Sequence, residues 1–115
     1  MADKRADDRH ETFAYWAALD LETGRLIGMV VDVNQGGFQL HTGHPIEVDT
    51  VCALSVQVDN NVAGCDRLNL EARSLWCRKV AGKKLYAVGF KVIAPYREFR
   101  RVEQKLIDYF SLRSR

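Results

Sequence analysis

The chain has 115 residues, 47% of them hydrophobic, with 17 Lys and Arg against 15 Asp and Glu. One domain with a core of its own fits these values, and a globally disordered chain does not. The net charge of +2 gives a weak overall field and argues against binding polyanions by bulk electrostatics. The apolar run LIGMVV (residues 26–31) is far too short to span a bilayer. No apolar segment follows the first basic residues as a signal peptide would, so the expected location is the cytoplasm. Cys52, Cys65 and Cys77 are odd in number and form no CxxC pair, which argues against both a disulfide framework and a zinc site. Cys52 and Cys77 fall inside apolar strand patterns and read as small hydrophobes. Cys65 lies in a polar loop and reads as a free thiol.

Residues 1–12 are polar, lack hydrophobic periodicity, and read as a flexible leader. They include KRADDRHE (residues 4–11), where Lys4, Arg5 and Arg9 sit among Asp7, Asp8 and Glu11. From Phe13 the pattern has period two, with Phe13, Tyr15, Ala17, Leu19 and Leu21 on one face, and predicts a strand. ETGR turns the chain at Gly24. LIGMVVDV (26–33) predicts a second strand, apolar on both faces and therefore central. NQGG interrupts it, and FQLHT (38–42) continues. After the loop GHPIEVD, residues Cys52, Leu54, Val56 and Val58 alternate as a half-exposed antiparallel strand. DNNVAGCD is a polar turn. Leu68, Leu70 and Ala72 alternate into SLWCR, VAGKK closes a hairpin at Gly82, and LYAVGFKVI returns.

The tail changes period. After Pro95, the residues Phe99, Val102, Leu106, Tyr109 and Phe110 share one face of a helix over about 96–112, with the Arg, Lys and Glu residues on the other. Pro95 suits its first turn. Six short antiparallel strands followed by one amphipathic helix predict a mainly-β domain over 13–115. The expected form is a small six-stranded barrel with the helix plugging or flanking it.

Signals for catalysis are poor. His41 and His44 have metal-ligand spacing, but no suitable third ligand stands nearby. No nucleophile elbow or acid–base carboxylate pair emerges, so no enzyme, metal or cofactor is expected. The informative stretch is DVNQGG. Its glycines allow positive φ and close approach of another molecule, or mark a bulge or corner of the barrel. Asp32 and Asn34 are one residue apart, so on an extended backbone they point the same way, an acceptor beside a donor–acceptor. Arg5 and Arg9 belong to a side-chain type that grips phosphate bidentately, pairs with the O6/N7 edge of guanine and stacks on rings. His10 lies beside them, within reach of the same ligand or simply exposed.

RxxxR at Arg5–Arg9, followed about two dozen residues later by Asp32-x-Asn34-x-x-Gly37, resembles the PilZ domain family, bacterial receptors for cyclic di-GMP. The family pattern is RxxxR followed by Asp/Asn-x-Ser-x-x-Gly. ARSLWCRK and YAVGFKV look like the strands of its last hairpin, and the resemblance runs through the C-terminal helix. It implies that Arg5 and Arg9 grip the phosphates and guanines, that Asp32 accepts from guanine N–H groups, and that Gly37 gives close backbone approach. Lys4, His10 and Gly36 are possible additional contacts. Asn34 stands where the family has serine, and Asp7 and Asp8 lie between the two arginines. The implied function is a switch: the ligand orders the leader and a protein effector reads the new surface, in control of motility, exopolysaccharide synthesis or virulence. The alternatives are a PilZ-like adaptor that no longer binds nucleotide and a small barrel binding RNA or DNA through the basic tail. Monomer and homodimer are both open.

Overall fold

The computed structural model describes residues 16–59 and 63–113, without the side chains of 107 and 109–113. Six strands, β1 (Trp16–Asp20), β2 (Leu26–Asn34), β3 (Gly37–Thr42), β4 (Val51–Gln57), β5 (Arg67–Lys79) and β6 (Tyr86–Ala94), precede the helix α1 (Tyr96–Arg113). They close into an antiparallel barrel in the order β1-β2-β3-β6-β5-β4. Closure is made by β1, which pairs with β2 (Ala17 opposite Met29) and with β4 (Ala18 opposite Val56). Every strand therefore has two neighbours, β2 included, as closure of a barrel requires.

The inward positions form the core. Val30, Leu40, Val88 and Cys77 lie in one register row across β2, β3, β6 and β5; the first three are buried and Cys77 packs against them. The next row holds Val33, Phe38, Phe90 and Ser74, with the rings of Phe38 and Phe90 stacked at 5.2 Å. Cys52 and Cys65 also pack half-buried against this core. Cys65 is thus an unpaired thiol set against apolar groups as well as a loop residue.

Helix α1 plugs one end. Its apolar face puts Phe99, Val102 and Leu106 over the barrel mouth, where they are 4%, 7% and 2% exposed. The Phe99 ring lies 6.0 Å from Phe38. Burying side chains of this size contributes roughly 1.5–3 kcal/mol each, enough to hold one amphipathic helix in place. A void of about 20 Å³ between plug and barrel, lined by Trp16, Val33, Phe38 and Val58 among others, has room for about one water.

Two expectations change. Pro95 precedes the helix rather than entering its first turn, and its carbonyl accepts the N–H of Phe99. The first strand stops at Asp20 instead of running through Leu21 and Glu22. The Asp20 carboxylate accepts the N–H (2.8 Å) and hydroxyl (2.9 Å) of Thr23, which starts the turn there. Those bonds, the backbone N–H first, hold its pKa below the ordinary carboxylate value.

Candidate functional site

Strict alternation would point Asp32 inward, since Val30 before it is in the core. A bulge between Val30 and Asp32 shifts the β2–β3 register, so Asp32 turns outward and Val33 inward. No irregularity follows between Asp32 and Asn34, and the two share the outer face, opposite Gln39 and Gly37. Asp32 is half-buried and Asn34 exposed.

A second bulge acts the same way on β5. Leu68, Leu70, Ala72 and Ser74 point inward and are buried. The register then shifts between Ser74 and Trp76, leaving Leu75 exposed, Trp76 outward and Cys77 inward. In the sequence SLWCR reads as strand and nothing marks Trp76 for a role, because a period-two count does not contain this bulge.

The two rotated residues end on one register row: Asp32 opposite Gln39, Gln39 opposite Gly89, Gly89 opposite Trp76. The indole lies so close over Gly89 that a Cβ there would collide with it. Glycine is what lets the ring fold down on β6 toward Gln39. The Arg78 guanidinium stacks on the same ring, 4.9 Å from its centroid. With strands ~4.8 Å apart, Asp32 and the root of Trp76 are about 14 Å apart. The result is a shelf with a carboxylate and an amide at one end and a ring with a guanidinium at the other. Flanking rows add exposed Lys91, opposite Gly37, and half-buried His41, opposite Ala87. Burial, then the nearby charge of Lys83, holds the pKa of His41 below the ordinary imidazole value. His44 lies in the following loop, exposed.

The hairpin turn is anchored from behind. Gly36 takes φ 73°. Its carbonyl accepts the N–H of Val92 at 2.9 Å, and its own N–H donates to Glu103 Oε1 at 3.3 Å. Glu103 also receives Arg100 Nε at 2.9 Å, and Arg100 Nη1 donates to the Tyr96 hydroxyl at 3.1 Å. This corrects the expectation that the Glu residues of α1 occupy its polar face: Glu103 is 4% exposed. Its position in the helix puts it on the barrel side, and a backbone donor with a guanidinium replaces the lost water. The role of Gly37 also sharpens. A Cβ there would strike the carbonyl oxygen of Phe90, so the barrel itself requires glycine at this position.

Arg5, Arg9, Lys4 and His10 lie outside the described residues. Compared with family models, curated proteins and solved structures, the chain matches none.

Proposed function

We propose that this chain is a receptor for cyclic di-GMP that signals to a protein effector, as the resemblance to the PilZ family implies. The observation that carries the reading is the shared outer row: two bulges turn Asp32 and Trp76 onto one shelf floored by Gly89. A carboxylate accepts from the N1–H and N2–H edge of guanine. An indole offers a stacking face to any base, and Arg78 and Lys91 supply charge for phosphate. Asn34 stands beside Asp32 as a second polar contact.

The leader can complete such a site. The described chain begins at Trp16, which lines the void under α1 together with Val33 and Phe38, so it enters the barrel at the hairpin end. Arg9 stands seven positions before Trp16, a reach of at most about 25 Å, which covers the shelf. Charge-assisted hydrogen bonds from Arg5 and Arg9 to the ligand phosphates would fix the leader against the barrel and change the exposed surface. Cytoplasmic localisation belongs to the same proposal; among the described residues, no helix is long and apolar enough to cross a membrane.

One observation favours the adaptor reading: Gly37, a motif position, is already explained by packing on Phe90. Calorimetric titration of the full chain with cyclic di-GMP separates the two. Saturable binding is expected, weakened about 10-fold or more by Arg5→Ala and by Arg9→Ala, as loss of charged hydrogen bonds implies. Trp76→Ala should weaken binding about 10-fold through lost stacking while leaving the fold intact. No heat at high micromolar ligand would leave the adaptor standing.

A further inference from the structure

The barrel end opposite α1 carries three connections: the β1–β2 turn (21–25), the β3–β4 loop (43–50) and the β5–β6 turn (80–85). The strand order places the first and third on opposite sides of this end, with β3 between them one way round and β4 the other. The β3–β4 loop crosses from one flank to the other.

The charges are divided accordingly. Among the described residues, the end of β1 and the β1–β2 turn hold Asp20 and Glu22 with one cation, Arg25, and the crossing loop holds Glu47 and Asp49, the last bound to Arg73 at 3.2 Å, so this side is acidic on balance. The β5–β6 turn and its flank hold Lys79, Lys83 and Lys84, all exposed, and no acid. The charge of Lys83 is felt at His41.

A groove of about 750 Å³ lies on the acidic side, with Ile27, Ile46, Cys52 and Leu54 in its lining. Its apolar lip is Leu26 and Val51, 61% and 48% exposed, and Val48 in the crossing loop is 53% exposed. The helix covers the apolar side chains at the other end. Here they stay open beside two zones of opposite charge.

We infer that this end is a self-association surface and that the occupant of the groove is a second copy of the chain, related by a twofold axis. Under that rotation each acidic zone faces the lysines of the other copy, and the two Leu26–Val51 lips pack across the axis. A patch that carries both signs around an apolar strip is self-complementary in the way an isologous contact requires. A cationic partner would match the acids but be repelled by Lys83 and Lys84. An anionic one would fail at Glu22 and Glu47. The hairpin and α1 lie at the far end and stay accessible in such a dimer, so the inference stands whether or not the chain binds a nucleotide.

Sedimentation velocity of the full chain at low salt, from micromolar to several hundred micromolar, is expected to show a monomer–dimer equilibrium that weakens with salt. Glu22→Lys with Glu47→Lys should be monomeric, and so should Lys83→Glu with Lys84→Glu. An equimolar mixture of the two should recover the dimer, because each reversed zone then meets its opposite. Leu26→Asp should raise the dimer dissociation constant 10-fold or more. All these positions are exposed, and circular dichroism verifies that each variant folds. A monomeric wild type over the whole range overturns the inference. So does a dimer that persists in both charge variants and in Leu26→Asp, or a mixture that stays monomeric.

Discussion

Replacing Gly37 by alanine is expected to destabilise the barrel by about 3 kcal/mol, the upper part of the range for forcing atoms into a packed site. The melting temperature should fall by about 10 °C or more for a domain of this size. The cause is local and rigid. Gly37 opens β3 and pairs with Lys91 of β6, and a methyl group there would strike the carbonyl of Phe90. Phe90 cannot give way cheaply, because its ring is stacked on Phe38 in the buried row. Its neighbour gives the contrast. At Gly36 a Cβ would come within 3.0 Å of the Tyr96 hydroxyl and would inherit φ 73°. The tyrosine is 43% exposed and can swing aside, so Gly36→Ala should cost about 1–2 kcal/mol, mostly backbone strain. Urea denaturation of both variants, paired with ligand titration of the folded fraction, divides the two meanings of the motif glycine. A Gly37→Ala protein as stable as the parent but unable to bind ligand would show that the ligand, not the barrel, demands glycine there.

The same hairpin shows how far the sequence could be read. Period two located every strand, and the glycines at 24 and 82 marked turns where φ is in fact 75° and 73°. Local alternation cannot show which strands pair at long range. Closure of β1 onto β4 joins Ala18 to Val56 across 38 positions and leaves no local trace. Bulges are hidden for a related reason: an extra residue such as Leu75 inverts every later side chain, yet it looks like any other strand residue. Trp76 was therefore legible as part of a strand and not as an outward ring. Asp32 stands out in the sequence by its company, Asn34 and the glycines, although simple alternation sends it into the core. Glu103 reads as a polar-face residue by its type, but its position decides. It falls four residues after Phe99 and three before Leu106, squarely on the apolar stripe.

Glu103→Ala is expected to destabilise the protein by about 2–3 kcal/mol, a large effect for a charged residue of an amphipathic helix. The carboxylate is out of water, and the Gly36 N–H it accepts is buried with it. Removing the acceptor leaves that donor without a partner, and the cost is the desolvation of an unmade hydrogen bond. The Arg100 side of the network matters less: its side chain is 47% exposed and returns to solvent, where such pairs are worth little. Chemical denaturation of three variants tests this assignment. Glu103→Gln keeps an acceptor oxygen for Gly36 and should lie within about 1 kcal/mol of the parent. Glu103→Leu restores volume but not the acceptor, so it should fall below Gln and close to Ala. Equal stability of Gln and Leu would mean that packing, not the hydrogen bond, holds the turn. The effect should also travel. Gly36 follows Asn34 by two residues, and its N–H is where α1 grips the hairpin, so the Gly36 amide should exchange faster with solvent in Glu103→Ala. On the proposed receptor reading, cyclic di-GMP affinity should drop severalfold in that variant although no side chain of the shelf has been touched, because the turn next to Asp32 and Asn34 has lost its anchor.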